Sequence, residues 1–101
     1  MAARESRVAL VPGVRRLIRA SAEEHVSWIR ANMRALMALT DHDPAAVHAL
    51  CGVSPGTVRN FVGGTDSALG NVLLMALALG VSLGDLERPP DEFRELMARR
   101  L

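Results

Sequence analysis

Residues 49–64, ALCGVSPGTVRNFVGG, contain residues typical of a helix end, followed within three residues by residues typical of a helix start. Gly52 supplies the left-handed conformation that often follows a helix, and Ser54 with Pro55 is typical of a first helical turn. The apolar spacing on the two sides predicts two helices, from about Pro44 to Cys51 and from Pro55 to Gly63–Gly64. The chain must turn sharply between them, which leaves one face of the second of these helices outward.

A long helix is predicted before this corner. Ser21 and Glu24 match a capping box, in which the hydroxyl and the carboxylate bond to each other's free backbone amides. We expect the helix to begin there, with an apolar stripe spaced by three and four residues that contains Val26, Ile29, Met33, Leu36 and Met37. Residues 14–19 fit a short basic amphipathic helix of their own. One continuous helix from Val14 to Leu39 fits the same period, and both arrangements remain open.

The other helices are predicted from capping residues and helix breakers. Asp43 with Pro44 begins the second helix, and Asp66 or Ser67 begins a fourth, from Ala68 to Leu79, which Gly80 ends. Ser82 caps a short fifth helix around Leu83 to Glu87. Pro89–Pro90 precede a last amphipathic helix from Asp91 to Leu101. No segment alternates with period two for long enough to demand a strand, and aromatic residues make up only 3% of the chain. The predicted fold class is all-α.

The charge is uneven along the chain. Residues 1–40 contain seven arginines and three glutamates, whereas residues 41–101 contain five arginines and eight acids, so the two parts carry +4 and −3. An anionic partner would meet the N-terminal third first. No apolar run approaches the roughly 20 residues of a membrane span, no secretory leader is recognisable, and a single cysteine excludes an intramolecular disulfide. We therefore expect a cytoplasmic protein that does not associate with a membrane.

The corner and the residues after it resemble the Cro/repressor-type (XRE-like) helix-turn-helix family. The resemblance covers about residues 31–86 and lies in the turn glycine Gly52, the ending ALALGVSLGDL and five apolar positions, Val47, Cys51, Val53, Val58 and Phe61. It implies a compact five-helix lambda-repressor-like domain over residues 21–88, a basic N-terminal arm or short helix over 1–20, and a C-terminal amphipathic helix over 89–101. It also implies a transcriptional regulator whose third helix binds in the major groove of double-stranded DNA.

Counting from the buried positions of the third helix gives the residues that face outward. Arg59 can donate two hydrogen bonds to guanine, and Asn60 can pair bidentately with adenine, so both are predicted to contact bases. Gly56 and Pro55 also lie on this predicted face. Two hydroxyl side chains are expected to bond to phosphate or to the backbone of their own helix, Ser54 and Thr57.

Three arginines near the N-terminus offer phosphate contacts that the corner lacks. They are Arg15, Arg16 and Arg19, and the alternative is that they form an ordinary solvated face. The corner itself departs from the family in three places: Asp43–Pro44 stand where a phosphate-binding side chain is common, His48 where alanine is usual, and Gly56 where a side chain often touches a base. A bulky His48 should widen the helix crossing or point sideways.

These departures keep a second function open, that of a protein-binding adaptor whose partner is RNA polymerase or another regulator. The stripe Phe93, Leu96 and Met97 has two interpretations as well. It either covers the core of its own chain or forms the interface of a homodimer, which is the usual state of helix-turn-helix proteins. The predicted dimer uses this last helix or the N-terminal one.

No constellation of residues indicates catalysis. Cys51 occupies a small apolar position of the motif, which favours a structural thiol. Asp41, His42 and Asp43 are adjacent and do not converge on one point, so helix capping explains them better than a metal site. The sequence supplies no nucleophile with an oriented base and no phosphate-binding glycine loop. The chain is therefore predicted to have no enzyme activity, no metal and no cofactor.

Overall fold

The computed structural model describes residues 13–101, and within this range the chain forms helices and no strand. The helices are α1 (Val14–Leu39), α2 (Pro44–Cys51), α3 (Pro55–Gly63), α4 (Leu69–Ala78), α5 (Leu83–Leu86) and α6 (Pro90–Arg100). The predicted all-α class is confirmed for the described residues. None of the described helices is both long enough and apolar enough to span a membrane.

The first helix is continuous from Val14 to Leu39, which is one of the two arrangements that the sequence left open, and the alternative start at Ser21 is wrong. Gly13 precedes it in the left-handed conformation, with φ 82°. Residues 14–21 contain neither glycine nor proline, and five of the eight are arginine, leucine or alanine, which are good helix formers. A capping box marks a helix start only where the preceding chain leaves the helix, and here it does not. Further along the same helix, the Ser27 hydroxyl donates to the Glu24 carbonyl at 2.7 Å.

The ends of α2 and α3 follow the local signals. The Asp43 carboxylate accepts from the Ala46 amide at 2.8 Å, and the Ser54 hydroxyl accepts from the Thr57 amide at 3.1 Å. Gly52 ends α2 with φ 79°, a conformation that L-residues with a side chain rarely adopt. The predicted bounds of both helices are confirmed.

The predicted caps of α4 are wrong, whereas that of α5 is confirmed. No side chain caps α4, because the Asp66 carboxylate binds Arg30 at 2.7 Å and the Ser67 hydroxyl accepts from the Asn71 side chain at 3.1 Å. In α5, Ser82 and Asp85 form a reciprocal capping box. The bond from the Ser82 backbone, together with the Arg100 guanidinium 3.0 Å away, lowers the pKa of Asp85 although partial burial opposes this.

The core lies between the C-terminal half of α1 and the other five helices. α3, α5 and α6 pack on α1, and α2 packs on α3 and α4. The fully buried side chains are Phe93, Met33, Leu36, Met75, Leu86, Met97, Val47, Val58 and Asn32. The polar member, Asn32, donates to the Leu86 carbonyl at 3.0 Å and to the Arg88 carbonyl at 2.8 Å. Its amide thus joins α1 to the chain between α5 and α6.

The N-terminal half of α1 extends beyond this core. Every residue from Arg15 to Ser27 is exposed, whereas buried positions begin at Asn32. The described part of the molecule is accordingly elongated, with principal extents of 46 × 29 × 23 Å. We call residues 14–27 the α1 extension.

Candidate nucleic-acid interface

The corner between α2 and α3 consists of Gly52, Val53 and Ser54. Val53 points into the core and is 5% exposed. His48, at the end of α2, is exposed, and its Nδ1 donates to the Val53 carbonyl at 3.1 Å. The imidazole therefore points sideways along the turn, which is one of the two arrangements expected for it, and it stabilises the corner instead of entering the contact between the helices.

The two faces of α3 differ in burial. Val58 and Phe61 lie in the core, with 0% and 4% exposure, and attach α3 to α1 and α2. Arg59 and Asn60 are exposed on the other face, and no described hydrogen bond or ion pair occupies either side chain. Their outward orientation agrees with the helical count, while their contact with bases stays a prediction.

The start of α3 is less open than the sequence suggested. Pro55 and Gly56 are half-buried, so they contribute less to the outer face than expected. A Cβ added at Gly56 would nevertheless meet no atom within 4 Å. The position has room for a side chain that the chain does not supply.

Two hydroxyl groups at the start of α3 bind each other. Ser54 accepts from the Thr57 amide, and its own hydroxyl donates to Thr57 Oγ1 at 2.8 Å. Of the two alternatives that the sequence left open, bonding within the helix is present here. A phosphate contact from Ser54 would have to exchange the bond to Thr57 for one to the phosphate.

Two arginines of α1 hold the other end of α3. Arg30 donates through Nη1 to the Phe61 carbonyl and to the Thr65 carbonyl, the second at 3.0 Å, and Arg34 donates through Nη2 to the Val62 carbonyl. The Arg30 guanidinium also lies 4.8 Å from the centre of the Phe61 ring. Cations are favourable at a helix C-terminus, where carbonyl groups lack partners within the helix.

This anchorage was not found from the sequence. The only sequence signal for it is the four-residue spacing of Arg30 and Arg34. This spacing places both side chains on one side of α1, next to the apolar stripe. The partners lie 28 to 36 residues further along the chain. Both guanidinium groups bond to α3, and that of Arg30 is largely buried there, whereas Arg34 is exposed.

The three predicted phosphate-binding arginines, Arg15, Arg16 and Arg19, are exposed on the α1 extension. They precede Arg30 by 11 to 15 residues, which is roughly 16 to 22 Å along the helix axis at 1.5 Å per residue. They therefore form a basic surface separate from the exposed face of α3.

The last helix covers the core of its own chain. Phe93 is 0% exposed and Met97 2%, and α6 packs on α1. Leu96 is half-buried at the edge of this contact. A second subunit could reach Phe93 and Met97 only if α6 left the core, so the expected dimer interface at this stripe is corrected: the stripe is a core contact.

The other polar groups singled out in the sequence serve local structure. The Cys51 thiol donates to the Val47 carbonyl at 3.2 Å, and His42 Nδ1 donates to the Thr40 hydroxyl at 2.8 Å. Among residues 13–101 no group of three or more His, Cys, Asp or Glu side chains is arranged to hold a metal ion.

Comparisons of the chain with protein-family models, with curated proteins and with solved structures find no match. Function is therefore inferred from the geometry and chemistry of α3 and of the helices that hold it.

Proposed function

We propose that the protein is a sequence-specific DNA-binding transcriptional regulator in which α2 and α3 form a helix-turn-helix. The observation that carries the proposal is the combination of a firmly held α3 with an outer face that presents Arg59 and Asn60, whose side chains make no hydrogen bond or ion pair within residues 13–101. A helix that binds in a major groove needs both properties, because a contact to one base edge requires a fixed approach.

The two exposed side chains have complementary preferences. The guanidinium of Arg59 offers paired donors for O6 and N7 of guanine, whereas the amide of Asn60 offers a donor and an acceptor for adenine. They are adjacent in sequence, so their side chains leave α3 about 100° apart. We expect them to contact neighbouring base pairs.

Affinity for the phosphate backbone comes from elsewhere in this proposal. Arg59 is the one arginine between Asp41 and Glu87, and five acids lie in the same range. Since Arg30 and Arg34 bind α3 itself, this proposal assigns the phosphate contacts to the α1 extension, which carries the exposed Arg15, Arg16 and Arg19 within five residues. A dimer would present two such surfaces to one duplex.

Selection from a random duplex pool at moderate salt tests the proposal. The unaltered protein should enrich one motif, and Arg59→Ala and Asn60→Ala should each weaken binding to that motif by about 1 to 3 kcal/mol and relax selectivity at one base position. Arg94→Ala is the matched control, because Arg94 is exposed on α6 and, in the part of the chain that the structure describes, pairs only with Asp91 at 3.5 Å. If the double variant selects the same motif as the unaltered protein, Arg59 and Asn60 do not contact bases.

A second candidate function is that of an adaptor that binds another protein, such as RNA polymerase or a regulator. It is favoured by three exposed leucines on α2 and α4, two helices that pack together: Leu50 is 54% exposed, Leu74 46% and Leu77 72%. Exposed apolar residues mark an interaction surface where they form one contiguous patch, and this second function requires that of the three leucines. A protein that retains no duplex at moderate salt would favour this function over DNA binding.

A further inference from the structure

A groove of about 760 Å³ lies between the α1 extension and the helices α4 and α5. Its floor and walls are apolar and include Val26 and Ile29 of α1, Leu69 and Val72 of α4, and Leu83 of α5. Leu69 is 62% exposed and Val26 39%, so side chains suited to a core are left open to solvent. The charged residues of the lining are Glu23, Glu87, Arg19 and the Arg30–Asp66 ion pair.

The α1 extension carries an unpartnered apolar stripe. Val14, Ile18, Ala22 and Ile29 are spaced by four or seven residues, which places them on the face that the buried Leu36 continues into the core. Ile18 of this stripe is 56% exposed, and Leu17, about 100° away around the helix, is 70% exposed. Helices of this length are only marginally stable in water without packing, so the extension gains stability if a partner covers the stripe.

We propose that the groove is filled by the α1 extension of a second copy of this chain, in an antiparallel pair. The groove follows α1 from Arg19 to Arg30, roughly 16 Å of helix. A partner helix in the opposite direction places its own Ile18 against Val26. A parallel helix would lead its first residues away from the groove, so only the antiparallel direction fills it.

The charges of the two surfaces are complementary. Residues 14–22 carry Arg15, Arg16 and Arg19 and no acid. Apart from the Arg30–Asp66 ion pair, the groove lining contains two carboxylates, Glu23 and Glu87, and one guanidinium, that of Arg19. The two-fold relation forms this contact twice, since each copy both inserts an extension and receives one. Attraction between the arginines of one extension and the groove carboxylates of the other copy favours the antiparallel direction. A parallel pair would instead place the arginines of the two extensions beside each other.

This inference names the partner of the dimer invoked in the proposed function, but its chemistry does not depend on DNA. Its experiment is performed without nucleic acid. Failure of the dimer therefore leaves the base contacts of α3 untouched, and failure of DNA binding leaves the dimer untouched.

Sedimentation equilibrium of the full chain tests the pair. The unaltered protein should be a dimer at tens of micromolar, and Ile18→Glu should raise the dimer dissociation constant by at least about 100-fold, because one buried side chain is worth roughly tenfold and the pair loses two. Leu69→Glu should act alike from the groove side. Ala20→Glu is the matched control, because Ala20 is exposed on the opposite side of the same helix.

Neither Ile18 nor Leu69 belongs to the buried core, so both variants should keep the circular dichroism of the unaltered protein. A monomeric unaltered protein at these concentrations would overturn the inference and would leave the groove to residues 1–12 or to another molecule. A dimer that survives Ile18→Glu and Leu69→Glu would place the interface elsewhere and would overturn it equally.

A disulfide cross-link tests the direction of the pair. With Ile18 opposite Val26 of the partner subunit, the two helices cross near Ala22. In a Cys51→Ser background, which leaves no other thiol, Ala22→Cys should cross-link two chains under mild oxidation and Ala20→Cys should not. Equal cross-linking of the two variants would refute the antiparallel pair.

Discussion

Replacing Arg30 with alanine should destabilise the fold through α3, although Arg30 lies on α1. Its side chain is only 13% exposed and makes three polar contacts and one cation–π contact, of which the bond to the Phe61 carbonyl is part-buried. A hydrogen bond from a charged donor contributes about 1.5 to 3 kcal/mol, and a cation–π contact about 0.5 to 1 kcal/mol. The contacts to the Thr65 carbonyl and to Asp66 are exposed and add little.

The expected loss in the free energy of unfolding is therefore about 2 to 4 kcal/mol. With a urea dependence of about 1 to 1.5 kcal/mol per molar, the unfolding midpoint should fall by roughly 2 M. Arg30→Lys keeps the charge but not the planar fork of donors, and it should recover only part of the loss. Amide hydrogen exchange should accelerate in α3 more than in α6, because α3 loses its anchorage directly.

Arg94→Ala is the control for this measurement. Arg94 is 67% exposed and has one ion pair, so its removal should change the free energy of unfolding by less than about 0.5 kcal/mol. If Arg30→Ala is no less stable than Arg94→Ala, then solvent replaces the guanidinium at the end of α3 without cost, and the anchorage does not stabilise the fold.

Three other predictions follow from positions described above. Gly56→Gln should fold normally and bind duplex DNA more tightly, since a Cβ there meets no atom within 4 Å, and unchanged retention on duplex would contradict this. The pKa of Asp85 in the folded protein is lowered from its ordinary value of 3.8. The ionised carboxylate therefore stabilises the fold above pH 3.8, and this stabilisation is lost as the pH falls through the folded-state pKa. Asp85→Asn should make the free energy of unfolding less sensitive to acid. Changing Arg15, Arg16 and Arg19 to glutamine should flatten the salt dependence of DNA binding by up to about 3 units in log–log slope and leave base preference intact, and an identical slope would show that they do not touch phosphate.

The corner was predictable because its signals are local. Gly52, Ser54 and Pro55 each determine the backbone within one turn of their own position, so no distant partner can change their effect. The same locality explains the wrong start of α1. Ser21 and Glu24 have the pattern of a cap, but the good helix formers before them continue the helix through it.

Contacts between distant residues were the part that the sequence did not reveal. Asp66 was expected to cap α4, yet Arg30 binds it across 36 residues, which no spacing rule indicates. Phe93 and Met97 illustrate a second limit. An apolar stripe shows that a helix face will be covered, whereas only the packed structure shows that the covering surface is α1 of the same chain.

The uninterrupted course of α1 has a geometric consequence for any assembly built on it. One rigid rod of 26 residues joins the extension to the anchorage of α3, so displacement of one end is transmitted to the other. A single residue inserted into the extension would rotate everything before it by about 100° and shift it by about 1.5 Å. An insertion of seven residues would nearly restore the original rotation of the preceding residues about the helix axis, but would lengthen α1 by about 10 Å. In a dimer joined through the two α1 helices, insertions would therefore change the separation and mutual orientation of the two α3 helices in discrete steps set by the helical repeat.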